Sequence, residues 1–216
     1  VVHKPVKTSC ALCHNPHGSD QPKLLKAPPQ ALCLECHGKM LKGKSVHPPA
    51  KASCLNCHDP HSSPRPRMLK ADPKTELCFG CHKTIKKTVQ DSPRPHKAIA
   101  VAGCPACHNP HASDHAPLLK SSMGKACVAC HEGKRAELNS RFLHGPVKME
   151  QCQGCHSPHG GSNPAILKAY FPPSFYNSYK NNLYKLCFNC HEKDIAERPR
   201  TTTLTNFRDG DRNLHY

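Results

Sequence analysis

Sixteen cysteines and eighteen histidines in a chain of 216 residues are the groups that could do chemistry. Every cysteine belongs to a C-x-x-C pair, and every pair is followed at once by histidine. The pairs are Cys10 and Cys13 with His14, Cys33 and Cys36 with His37, Cys54 and Cys57 with His58, and Cys78 and Cys81 with His82. They continue with Cys104 and Cys107 with His108, Cys127 and Cys130 with His131, Cys152 and Cys155 with His156, and Cys187 and Cys190 with His191. C-x-x-C-H is the attachment signature of c-type haem. Two thiols about one helical turn apart form thioethers to the two vinyl groups on one porphyrin edge, and the adjacent imidazole reaches the iron. Zinc knuckles would not require a histidine after every pair, a thioredoxin-like motif would occur once, and disulfides leave the histidines unexplained. The reading is eight covalently bound haem c groups.

The motifs alternate in kind, which divides the chain into repeats. The first motif of each repeat extends to C-x-x-C-H-x-P-H, ending at His17, His61, His111 and His159. A gapless ten-residue match follows: HGSDQPKLLK, HSSPRPRMLK, HASDHAPLLK and HGGSNPAILK. A plainer motif closes the repeat. Each repeat also opens on a histidine seven or eight residues before its first cysteine: His3, His47, His96 and His144. The four repeats run approximately 1–43, 44–92, 93–140 and 141–191, and are expected to form one haem-packed unit ahead of a haem-free tail, 192–216. Removing the eight motif histidines leaves ten, and His3, His17, His47, His61, His96, His111, His144 and His159 hold the repeated positions. They are the candidate distal ligands. His115 does not repeat, and His215 reads either as a tail residue or as a contact to a neighbouring subunit. Met40, Met68, Met123 and Met149 share no repeat position and are read as packing residues. Ligation by histidine throughout implies low potentials and leaves no iron open to a substrate.

His17 follows His14 by three residues, a span of at most about 11 Å. The two cannot easily take opposite faces of one iron, so His17 should serve a different haem. Only 27 residues are available per cofactor, so haems should touch haems in a continuous string wrapped by short protein segments.

The positioning elements must be short. Twenty-two prolines interrupt the chain, and helical turns are expected around the motifs, for example over Ala31–Met40, Thr75–Lys87 and Lys125–Leu138. The expected fold is mostly coil with short α-helices and little or no sheet. The fourth repeat carries 18 residues between Lys168 and Cys187 where the others have six or seven. Here and just beyond lie seven of the 11 aromatic residues: Tyr170, Phe171, Phe175, Tyr176, Tyr179, Tyr184 and Phe188. They read as a cover for the last haem or as a subunit interface. The tail, with its TTTLT run, reads as a possible arm pairing with another chain. No apolar stretch approaches the roughly 18 residues of a membrane span. The absent initiator methionine and the cysteine use point to an exported chain with its signal peptide removed.

At these residues the sequence resembles the multihaem cytochromes c with doubled C-x-x-C-H motifs. Members of that group carry electrons in the periplasm or outside the cell, and some polymerise into extracellular filaments. The resemblance implies a homo-polymer with end-to-end haem contacts, in which a histidine of one subunit completes a haem of the next; His3, near the first residue, is placed for that part. Redox proteins, metal oxides or other cells would be the partners. The alternatives are a monomeric periplasmic carrier and an octahaem oxidoreductase with an open haem. The latter resembles the hydroxylamine oxidoreductase or tetrathionate reductase groups, but no motif departs to C-x-x-C-K.

The formal charge of +16 invites a nucleic-acid reading. Eight haems bring sixteen propionates, about −16 when ionised. The basic residues are scattered with no block of five or six. The excess therefore reads as counter-charge, with no nucleic-acid partner. Without cysteine only about 30% of the residues are apolar, thin for a side-chain core, so the haems themselves are expected to be the core.

Overall fold

The computed structural model describes residues 1–174, 177, 179–180 and 182–216. Phe175 and Tyr176 of the aromatic insert lie outside these. The chain forms two compact units: one joins Val1–Lys86 with Lys97–Cys152, the other Lys87–His96 with Gln153–Tyr216. Among the described residues no helix exceeds nine residues, and the strands are two antiparallel pairs of two residues each. The expectation of a mostly coil fold with short helices and little sheet is met.

Helix α1 (Lys4–Thr8) follows His3, α3 (Pro48–Ala52) follows His47, α6 (Lys97–Ala102) follows His96 and α9 (Gly145–Lys148) follows His144. In α1, α3 and α9 a proline occupies the first turn, where its fixed φ suits the helix and its missing N–H costs nothing. Helices α1 and α3 stop at Ser9 and Ser53. Each serine turns extended and accepts a hydrogen bond from the N–H of Ala11 or Leu55, starting the 3₁₀ turn that carries Cys10 or Cys54. The short helix thus fixes the distance from each opening histidine to its first cysteine.

The second motifs sit on α2 (Pro29–His37), α4 (Glu76–Phe79) and α7 (Met123–Val128). These are shorter than the sequence pattern implies. The helix expected over Thr75–Lys87 is divided between α4 and α5 (Lys83–Asp91), and that over Lys125–Leu138 between α7, a 3₁₀ turn and α8 (Arg135–Leu138). At two of the second motifs the histidine itself leaves helical geometry: His37 has φ −105° and ψ 21°, His131 φ −96° and ψ 58°.

Consecutive repeats are stitched by backbone. The His3 N–H donates to the His61 carbonyl at 2.9 Å and the His47 N–H to the His111 carbonyl at 2.8 Å. Strand β1 (Ser45–Val46) pairs with β2 (Ala112–Ser113) in the register Ser45 to Ser113 and Val46 to Ala112. Val2 faces Ser62 in the same manner, and Arg94 faces Gly161. The segment opening one repeat therefore lies along the segment that follows the C-x-x-C-H-x-P-H motif of the next.

Among the described residues buried apolar side chains are few: Leu69, Ala112 and Leu119. The protein exposes 15,531 Å², whereas a compact chain of 23.8 kDa exposes about 9,900 Å². An excess of more than half again is surface that the polypeptide does not bury against itself.

In the tail, β3 (Arg208–Asp209) and β4 (Arg212–Asn213) pair with each other rather than with a free edge. Asn213 is 3% exposed and donates its side-chain amide to the carbonyls of Ile195 (2.6 Å) and Arg198 (2.7 Å), at and just past α10 (Asp194–Glu197). The TTTLT run is no strand. It turns on the Thr201 hydroxyl, which accepts from the N–H of Thr203 and Leu204. The tail therefore folds on its own chain.

One backbone position tests this scheme. Gly103 takes φ +74°, and a Cβ there would stand 2.4 Å from Lys74 Cα. Gly103→Ala is expected to destabilise the protein by about 1–3 kcal/mol, read as a lowered thermal midpoint. Gly133→Ala, where nothing lies within 4 Å, should leave the midpoint in place.

Candidate cofactor sites

The ten-residue match after each first motif forms a hairpin that returns to its own histidine. The His14 Nδ1–H donates to the Lys23 carbonyl at 2.9 Å, His58 to Arg67 at 2.9 Å, His108 to Pro117 at 3.0 Å and His156 to Ala165 at 2.9 Å. Lys23, Arg67 and Ala165 adopt φ of 61°, 58° and 51°, and Leu118 plays that part in the third repeat with φ 61°. The hairpin closes on two backbone bonds, for example Asp59 N–H to Met68 O at 2.8 Å and Lys70 N–H to Cys57 O at 3.0 Å. The buried Ser63 hydroxyl holds its base, donating to the Leu69 carbonyl at 2.6 Å. Ser19 and Ser113 bond the Leu25 and Leu119 carbonyls in the same way, and Asn163 takes the role in the fourth repeat.

The opening histidines are oriented similarly, by the proline of the x-P-H segment one repeat on. His3 Nδ1–H donates to the Pro60 carbonyl at 3.0 Å, His47 to Pro110 at 2.9 Å and His96 to Pro158 at 2.9 Å. A hydrogen bond from Nδ1 fixes the tautomer and leaves the Nε2 lone pair for a metal.

The imidazoles then meet in pairs. His3 faces His37 with centroids 6.1 Å apart and planes within 25°, and His14 faces His61 at 6.1 Å and 20°. His47 faces His82, and His58 faces His111, each at 6.0 Å and 15°. Two metal–nitrogen bonds of about 2 Å plus two ring half-widths give roughly 6 Å, so each gap fits one iron between nearly parallel imidazoles. Each pair contains one carbonyl-bonded ring: His14 and His58 in two of them, His3 and His47 in the others. The rule is plain. An opening histidine faces the second motif of its own repeat, and the histidine ending C-x-x-C-H-x-P-H faces the first motif of the preceding repeat. His96, His108, His131, His144, His159 and His191 all make further contacts of their own.

His3 opposes His37 of its own chain. Met40 and Met149 are 49% and 60% exposed. His215 lies against Phe207 and the Thr205 hydroxyl, and His115 sits in the third hairpin, its N–H bonded to Ser113.

The cysteines bring successive motifs side by side. Within the first unit the Cys33 thiol is pushed up to about 11, chiefly by burial, with the thiols of Cys54 and then Cys13 adding to the rise. Cys127 also rises to about 11, from burial, with Cys152 hydrogen-bonded to it and Cys107 nearby. Cys78 shares a hydrogen bond with Cys104, and Cys57 lies within electrostatic reach of Cys78 and Cys81. In the second unit Cys187 is raised by burial and by Cys155. Every neighbour belongs to the same motif, the one before or the one after. Burial, with His58 and His47 beside it, holds the His111 imidazole below the usual histidine range, hence neutral.

Around the last motif, Tyr184 stacks on Tyr179 (6.3 Å, 1°) and meets Phe171 and Phe188 edge-on at 6.3 and 6.4 Å. The Tyr179 hydroxyl donates to Glu197 at 2.6 Å. These described aromatics cluster beside Cys187–His191.

No helix among the described residues is long and apolar enough to cross a membrane. No curated protein matches the chain. The family model for the doubled CXXCH motif matches residues 3–42, 47–87, 96–136 and 144–196, one match per repeat and most of the chain. Paired motifs of this kind bind haem c covalently, and the opposed imidazoles have the spacing such a group requires. The chain belongs to the doubled CXXCH motif family and is a multihaem c-type cytochrome, an electron-transfer protein.

Proposed function

We propose that the protein is an octahaem cytochrome, with every iron held between two histidines, that serves extracellular electron transfer as the subunit of a polymeric cytochrome filament. The observation that carries the reading is the set of four opposed imidazole pairs at 6.0–6.1 Å. Haem c supplies a one-electron ferric–ferrous couple. The polypeptide's part is to fix sixteen thiols and the imidazoles so that little reorganises when charge moves. Each pair is anchored by a carbonyl-bonded ring, and its two members come from different segments, so neither ring swings away alone. The contiguity of successive cysteines supports a continuous row of cofactors, and the surface excess is what such a row would cover. Redox proteins or extracellular solids such as metal oxides would be the terminal partners. The four repeats act as one conducting unit, with the tail packed beside the last motif.

One observation favours a second reading, an oxidoreductase with an open haem. His156 has its Nδ1 bonded to Ala165 but no opposing ring among the described residues.

A haemochrome assay against protein mass should return eight haems per chain, and the oxidised, assembled protein should give only low-spin EPR signals. Fewer haems, or a persistent high-spin signal in the assembled form, would refute the octahaem conduit. Replacing one distal ligand, His61→Met, should raise the midpoint potential of one haem by on the order of 0.1 V within the roughly 0.8 V span of axial ligands, read by spectroelectrochemical titration. An unchanged titration would remove His61 from the ligand set. Negative-stain microscopy of secreted material should show filaments, and dispersed particles alone at high concentration would contradict the polymer.

A further inference from the structure

We infer that the Glu150 carboxylate lowers the reduction potential of the haems at the junction between the third and fourth repeats, chiefly the one attached at Cys127 and Cys130. The three junctions between repeats are built alike, but the third is closed by a charge. The inference rests on haem attachment at every motif, as proposed above, and adds what distinguishes one junction from the others.

At each junction the second motif of one repeat lies against the first motif of the next. Cys33 lies beside Cys54, Cys78 shares a hydrogen bond with Cys104, and Cys127 lies beside Cys152. One polar group ties each junction together. At the first it is an amide: Gln30 Oε1 accepts from the Cys54 N–H at 3.0 Å, and Gln30 Nε2 donates to the Ala50 carbonyl at 3.0 Å. At the second it is backbone: the Cys104 N–H donates to the Lys74 carbonyl at 2.8 Å. At the third it is a carboxylate: Glu150 Oε2 accepts from the Gly124 N–H at 3.1 Å. The first two groups are neutral and the third is an anion.

The chain is shaped around that anion. Gly124 is buried, and a Cβ on it would stand 2.7 Å from the Glu150 carboxyl carbon. Glycine leaves the carboxylate its place. Glu150 itself holds φ +56°, a left-handed backbone that costs a glutamate more than it would a glycine. The Ser122 hydroxyl and the Gly124 N–H beside it hold the carboxyl below its usual range, so it is ionised at neutral pH. Glu150 is half-buried, and salt screens such a charge less than an exposed one. Its field reaches the site of attachment. The Cys127 thiol, raised first by burial, is raised by Glu150 as well, whereas no carboxylate stands among the chief causes at Cys33 or Cys78. That thiol is where the thioether bond forms, so a haem bonded there lies within the same field.

The sign follows from the charge of the cofactor. A ferric haem core carries one positive charge more than a ferrous one, so a fixed anion favours the ferric state and lowers the potential. Lys125, exposed and close enough to act on the carboxylate, offsets part of the effect. With other surroundings equal, an electron climbs on entering the third junction and descends on leaving it in either direction.

The test is a spectroelectrochemical titration of the matured holo-protein. Glu150→Gln keeps an oxygen that can accept from Gly124 and removes the charge. It should retain eight low-spin haems and the wild-type thermal midpoint. One or two of the one-electron steps should rise, so that at a fixed potential those haems are about threefold to tenfold more reduced. Glu150→Asp keeps the charge on a backbone that aspartate tolerates, and should titrate closer to wild type than Glu150→Gln does. Asp209→Asn, which removes an exposed carboxylate from the tail, should move no step. Lys125→Gln leaves the Glu150 contact in place and should lower the steps that Glu150→Gln raises. An unchanged titration in Glu150→Gln would overturn the assignment, as would a shift in Glu150→Asp as large as that in Glu150→Gln. Should Glu150→Gln fail to mature, Lys125→Gln decides, and a titration without a lowered step would overturn it. Wild type with fewer than eight haems would instead refute the octahaem reading.

Discussion

An imidazole committed to a carbonyl through Nδ1 has only Nε2 left for a metal, and it can point in only one direction. That hydrogen bond, made by His14, His58, His108 and His156 to hairpin carbonyls and by His3, His47 and His96 to proline carbonyls, is the constraint from which the architecture follows. It accounts for the left-handed turn nine or ten residues after each first-motif histidine, and gives a task to the carbonyl of the proline before His61, His111 and His159. It also explains why the chain needs no long element. A helix of five residues suffices when its task is to set the spacing from His3 to Cys10.

The second consequence concerns stability. With so few buried side chains and so much exposed surface, the polypeptide alone lacks the apolar burial that offsets chain entropy in an ordinary domain. The opposed rings come from segments far apart in the sequence, such as His14 and His61 or His58 and His111. Metal bonds between such rings would close long loops and supply cross-links where a core is missing. Metal binding then becomes part of the folding free energy.

The covalent chemistry was legible in the sequence because it is local. Eight C-x-x-C-H motifs declare themselves by spacing, and the register of the extra histidines marks the candidate distal set. The fold class followed from proline content and the lack of long apolar periodicity. The spatial pairing was not legible. Nothing in the string of letters says that His3 meets His37 while His61 crosses back to His14, because that depends on backbone stitching between repeats. The same limit hid the reason for the PKLLK-type stretch: its function lies in the carbonyls of Lys23, Arg67, Pro117 and Ala165, which side-chain identity does not reveal. The gapless match was the available signal. The fold of the tail was hidden for a related reason, since Asn213, an unremarkable letter, anchors it to Ile195 and Arg198.

The central claim is that distal ligands cross between segments by a fixed rule. It is tested most directly by a high-resolution density map of the assembled holo-protein, read iron by iron. The account predicts His3 and His37 on one iron, His14 and His61 on another, and the same crossing at His47 with His82 and His58 with His111. A map showing His14 and His17 on one iron, or a methionine or an open face at any of these four, would contradict it.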